Sequence, residues 1–203
     1  MCNAYVNKAP YRAFVEAMER LGLPLLKPGP EAAPNLAEQD PVRPTDTAPV
    51  IRAIPGGTEL AMLRWGFAPG RPKAGPVINF RSEGRRFGSG RCLVPASAFY
   101  EFTGAKYPKT RWRFTAADAD WFCFAGLWRP AEGEVGESFT LLTTAPGPDV
   151  APYHDRQPVV LGQSAWAAWL DPSVDGGELL KPSPAGALRV EEAPQQATAG
   201  TLL

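Results

Sequence analysis

Apolar side chains return every three or four residues from Pro10 to Gly22, with Tyr11, Phe14, Val15, Met18 and Leu21 on one face. Pro10 suits a first turn and Gly22 a stop, so the spacing predicts a packing helix over 10–22. That period is then lost. Residues 24–49 are rich in Pro, Ala, Glu and Asp with no sustained repeat and read as a long surface loop. Short apolar or aromatic runs follow at 60–67, 77–80, 92–94, 98–102, 111–115, 121–128, 139–144 and 159–161, most of them separated by Gly or Pro. They predict curved, largely antiparallel sheet. A short helix is expected over 164–170, capped by Ser164 and stopped before Pro172. The expected fold is one α+β domain over 1–181, with barrel-like, mostly antiparallel sheets and a few flanking helices. A loosely ordered tail should cover 182–203, with room for one strand at 187–190.

Composition narrows the class. A chain of 203 residues with 44% hydrophobic content suffices for one domain with a sizeable core. No stretch approaches the roughly 20 apolar residues of a membrane span, and the N-terminus lacks the apolar core of a secretory signal. Cys2, Cys92 and Cys123 form an odd set without metal-type spacing, which suggests neither a disulfide framework nor a metal site. A reducing cytoplasm is the expected compartment. The zero net charge conceals a gradient: residues 64–113 hold eleven Lys or Arg against two acids, and residues 114–203 hold four against twelve. A basic stretch inside a neutral chain suggests a local anion-binding face, although solvated strands carry such residues too.

Several residues could carry chemistry. Cys2 follows the initiator methionine, whose removal would leave an α-amine beside a thiol. The two titrate near pH ~8 and ~8.5, so modest local tuning would make both nucleophilic. Alone, a second-position cysteine is more often incidental. His154 is the only histidine and the natural proton shuttle near neutral pH. In the 98–102 run, alternation places Glu101 on the Phe99 side and Tyr100 with Phe102 on the other. Desolvation there would raise the carboxyl pKa, unless the strand is an edge facing water. Asn79 and Arg81 share a strand face, a neutral donor beside a planar cation suited to phosphate. Trp65 offers a surface for base stacking, although a core ring is the commoner outcome. No GxGxxG, Walker loop, GxSxG or HExxH is present.

Taken together and in order, these segments resemble the SRAP family, the SOS response-associated peptidases that process abasic sites in DNA. The start Met1-Cys2 matches. Val42-Arg43-Pro44-Thr45 with Ala48-Pro49-Val50-Ile51-Arg52 is similar to the family's "APT…PVIR" segment, and Arg64-Trp65-Gly66-Phe67-Ala68-Pro69 to its "RWGLIP" strand. Asn79-Phe80-Arg81-Ser82-Glu83 resembles "NARAE". The most specific block, from Arg91 to Phe102, is similar to "RCLIPADGFYEW". His154-Asp155-Arg156-Gln157-Pro158 completes the series, and the resemblance spans residues 1 to about 171.

The resemblance implies an abasic-site sensor that crosslinks through Cys2 to lesions in single-stranded DNA, with no cofactor and no metal. Asn79 would orient the product ring, Glu101 would act as acid and base, and His154 would assist proton transfer. Arg81 and Arg156 would hold phosphates, with Pro44, Trp65 and Thr143 nearby in the groove. It further implies a monomer working beside the nucleoid with replication-fork proteins as candidate partners, no membrane association, and removal of residues ahead of the cysteine. The chain departs from the pattern at Asn3-Ala4, where the family has Gly-Arg, at Gly70-Arg71-Pro72, where it has a tryptophan, and at Gln157, where it has methionine. Two other classes use the same residues: a cysteine amidohydrolase with an N-terminal nucleophile, and a noncatalytic module that binds single-stranded nucleic acid.

Overall fold

A computed structural model of the chain describes residues 2–26, 36–71 and 73–194. Its strands are β1 (Tyr5–Asn7), β2 (Gln39–Val42), β3 (Thr47–Ile54), β4 (Gly57–Trp65), β5 (Asn79–Arg81), β6 (Arg91–Ala96) and β7 (Ala98–Thr103). They continue as β8 (Thr110–Ala116), β9 (Phe122–Arg129), β10 (Ser138–Thr144), β11 (Gln157–Pro158), β12 (Val160–Leu161) and β13 (Leu188–Ala193). Helix α1 spans Tyr11–Arg20 and α2 spans Trp166–Leu170.

The strands form two sheets. The smaller has the order β13-β8-β7-β1-β2, and the larger runs β11-β10-β4-β3-β6-β9-β12 with β5 added on β10. Pairing is antiparallel except where β10 meets β4 and β5. The larger sheet is strongly curved, since β10 pairs with both β4 and β9.

Period-two alternation explains the layering. Val50, Val94, Phe124 and Leu141 turn towards the smaller sheet and join Tyr5, Phe99 and Phe114 in one core. Their neighbours Ile51, Leu93, Cys123, Ala125 and Leu142 turn the other way and pack under α1 and α2. The molecule is thus small sheet, large sheet and helices. Phe99 and Phe114 stack at 4.7 Å between ring centroids in the inter-sheet core. Gly22, at φ +69°, ends the first helix as its position predicts.

The eight runs read as strands all lie on or overlap strands, but three expectations need correction. Residues 24–49 are not simply loop: beyond 27–35, which lie outside the described residues, they contain β2 and the start of β3. Pro41 and Pro49 mask those strands in the sequence. Pro49 is tolerated because β3 pairs with β6 only at Ile51 and Arg52. Ser164 is no cap; the turn begins at Gly162 and no side chain caps it. The tail carries a longer strand than expected, β13, fully registered along β8 from Leu188 to Ala193; residues 195–203 lie outside the described part. No helix among the described residues is long and apolar enough to cross a membrane.

Phe99→Ala removes a fully buried ring from the inter-sheet stack. It should lower unfolding free energy by about 3–5 kcal/mol in urea titration, with the slope against denaturant unchanged.

Candidate active site

The chain enters the fold at Cys2, three residues before β1, and β1 lies against β7 with Tyr5 opposite Phe99. Cys2 and Glu101 therefore share the small sheet's inner side, while Asn79 and Thr143 come from β5 and β10 of the large sheet. The alternation expected on β7 holds. Phe99 and Glu101 are buried in the core at 0% and 2% exposure, and Tyr100 packs on the other face with Ala4 and Val6. Since β7 lies between β8 and β1, Glu101 is no edge residue.

Burial sets the chemistry. It pushes the Glu101 carboxyl up to about 7, because a carboxylate there loses its hydration. The Cys2 thiol is pushed well above its ordinary range, first by burial and then by the negative charge of Glu101. This corrects the expectation of a thiol tuned towards thiolate: at neutral pH the sulfur is held protonated, 3.5 Å from the Ala4 carbonyl. Asn79 Nδ2 donates to the Cys2 carbonyl at 2.7 Å, while its Oδ1 is buried with no hydrogen-bond partner among the described residues.

His154 completes the cluster from the turn after β10. Its Nε2 stands 3.8 Å from Glu101 Oε2, beyond hydrogen-bond range but close enough for a modest shift to close. The Arg156 backbone N–H donates to Nδ1 at 2.9 Å, and Asp155 Oδ1 lies equally near that nitrogen. The backbone amide is fixed, whereas the Asp155 side chain is 89% exposed and can rotate into water. Burial lowers the imidazole pKa, so the ring is neutral at pH 7 with its proton on Nε2, facing Glu101. Gln157 braces this turn. It accepts from the Gly147 N–H at 2.6 Å and donates to Ser183 Oγ at 3.1 Å. Gly147 is required there, because an added Cβ would lie 2.0 Å from the Ser183 carbonyl oxygen.

The expected phosphate residues are divided by their surroundings. Arg81 is exposed, in register with Thr143, and makes no ion pair among the described residues. Arg156 stands beside it, mostly buried, donating to Thr143 Oγ1 at 3.0 Å and gripping both carboxylate oxygens of Glu83. Arg156 in turn holds the Glu83 carboxyl below its usual range. Sequence reasoning missed this role of Glu83, although its place two residues after Arg81 puts it next to the site. Pro44 is half-buried in a recess of about 310 Å³ with Asn3, Tyr100 and Arg111. Trp65 is not a groove residue. It is fully buried, its indole N–H bonded to the Ile78 carbonyl and its ring stacked on Phe139. No cluster of metal-ligating side chains occurs among the described residues.

The family model described as "SOS response associated peptidase (SRAP)" matches residues 1–197. The abasic site processing protein YobE of Bacillus subtilis is 29% identical over 179 residues, covering 80% of each chain. The abasic site processing protein YedK of Escherichia coli is 28% identical over 158 residues, 66% of this chain and 71% of its own. A solved protein of Bordetella bronchiseptica superimposes with a TM-score of 0.70 at 25% identity, covering 96% of this chain and all of its own. One from Bacteroides thetaiotaomicron gives 0.73 at 20% identity over 95% and 92% of the two chains, a likeness of fold. The family match takes in both sheets and every strand that supplies the cluster around Cys2, and the chain belongs to the SOS response-associated peptidase family.

Proposed function

We propose that the protein processes abasic sites in single-stranded DNA by joining them covalently to Cys2. The supporting observation is the enclosure of the Cys2 thiol beside a carboxyl whose pKa lies near 7, with Asn79 holding the cysteine carbonyl. Relatives named abasic site processing proteins point to the same substrate. Removal of Met1 turns the Cys2 amide nitrogen into an amine.

An abasic sugar rests mainly as a closed hemiacetal. Glu101, protonated, gives its proton to the ring oxygen as the C1′–O4′ bond breaks, and the 1′-hydroxyl proton passes to solvent, leaving a C1′ aldehyde. The Cys2 amine adds to C1′, and loss of one water with uptake of one proton gives an iminium ion. The Glu101 carboxylate then takes the thiol proton while sulfur attacks C1′. Closure of the five-membered thiazolidine quenches the positive charge on nitrogen and returns Glu101 to its acid form. One water is released overall. His154 Nε2–H faces Glu101 and stabilises its carboxylate state between the two transfers. Loss of the iminium removes the electron sink that β-elimination needs, so the strand stays intact. Arg81 and Arg156 hold the flanking phosphates, the latter by exchanging Glu83 for phosphate.

Intact mass should show the chain without Met1. After mixing with an abasic single strand, it should show a gain equal to the DNA minus one water. Cys2→Ala should abolish the denaturation-resistant adduct while retaining salt-dependent binding to undamaged strand. An adduct in that variant would assign the reaction to another residue.

Glu101 has a folded-state pKa near 7, above its ordinary value, so its acid form is lost as pH rises through about 7. Adduct formation should decline above that pH on this limb. Glu101→Gln should be slower by on the order of 10²–10⁴ and lack the limb. The same shift means that the native fold binds the extra proton between the ordinary carboxyl pKa and about 7. This carboxyl's contribution to stability therefore falls as pH rises through that window, and Glu101→Gln should flatten the fall in thermal unfolding.

A further inference from the structure

Behind the catalytic strand lies a recess of about 700 Å³ that the reaction above does not use. Asn79 and Arg81 face the site, and alternation turns Phe80, between them, to the opposite side of β5. There Phe80 meets Phe87 edge-on, and the loop after β5 brings Arg85 and Arg86 to the same opening. Arg129, at the end of β9, closes the other wall.

Two features mark this recess as built for a ligand that is both planar and anionic. Guanidinium groups lie on aromatic rings, Arg85 over Phe80 at 4.6 Å and Arg129 over Phe67 at 4.4 Å. Each is an exposed residue whose outer guanidinium face can take a further flat ring. Trp128 adds a partly exposed indole to the lining. The charge is also of one sign, since no carboxylate lines the recess among the described residues. Arg85 and Arg86 also border a neighbouring recess lined by Glu83, Asp175 and Glu178, where Asp175 pairs with Arg86 at 3.5 Å in a solvent-exposed contact. The acidic turn beginning at Glu132 lies beyond Pro130.

We infer that this aromatic and arginine-lined recess is a second nucleic-acid subsite, which takes an undamaged nucleotide of the same single strand, base stacked on guanidinium and phosphate between Arg85, Arg86 and Arg129. The inference rests on the proposed DNA substrate and extends it. The loop that carries Arg85 and Arg86 to the recess follows directly on Arg81 in the chain. Damage recognition stays at Cys2, and the recess adds affinity that grows with the length of intact strand beside the lesion.

The test uses the full chain carrying Arg85→Gln, Arg86→Gln and Arg129→Gln together. A charge-matched control carries Arg12→Gln, Arg20→Gln and Arg189→Gln. Fluorescence anisotropy with an undamaged oligothymidylate of about 20 nucleotides should show the recess variant weakened on the order of tenfold, with a shallower salt slope. The control should stay near wild type. Covalent capture of an abasic oligonucleotide of about five nucleotides should be equal in all three. Equal weakening of variant and control overturns the inference, as does polyphosphate of matched charge competing as well as oligothymidylate, for then the rings hold no base. Failure of the wild type to form any adduct would instead overturn the proposed reaction, and the affinity comparison on intact strand would still decide the recess.

Discussion

The low-polarity space between the two sheets is the constraint on which the site depends. Glu101 sits there on an interior strand, against Phe99 and within reach of Cys2, and water cannot solvate its charge. The same exclusion raises both groups, keeping the thiol protonated and leaving the carboxyl poised between its two forms near pH 7. A carboxyl near 7 is matched to donating and accepting protons under cellular conditions, whereas an exposed one would stay ionised. The sulfur needs a base beside it to react, and in the proposed sequence the Glu101 carboxylate left after protonation of the sugar takes that part.

How legible this was in the sequence varied with the physics involved. Strand alternation set Glu101 on the face of Phe99, but whether that face was buried or lay on an edge facing water depended on the sheet order. The pairing of Asn79 with Arg81 on a common face followed in the same way. Trp65 shows the limit: an indole satisfied by the Ile78 carbonyl and an indole awaiting a ligand have the same local pattern. The early strands were hidden because Pro41 and Pro49 are allowed only where a neighbouring strand is absent, which is a fact of topology. The state of the Cys2 thiol likewise required knowing what surrounds it in three dimensions. Gln157, a departure from the family pattern, supports the turn that carries His154 through two buried hydrogen bonds.

Arg156 illustrates how an internal partner can shape selectivity. Its two Nη groups already pair with Glu83 and Thr143, so a phosphate that replaces Glu83 would gain only the difference between two ion pairings. Arg81, without such a partner among the described residues, offers its full charge. The two cations on this face are therefore unequal, one already engaged and one open to an anion.

The link between Asn79 and the Cys2 carbonyl has one more consequence. First residues of polypeptides ordinarily fray, which would smear a terminal nucleophile over many orientations. Here the tether grips the oxygen side of the residue and leaves the nitrogen side alone. Trimming the preceding methionine would expose the amine without loosening its mooring, so the new chain end would begin life already aimed.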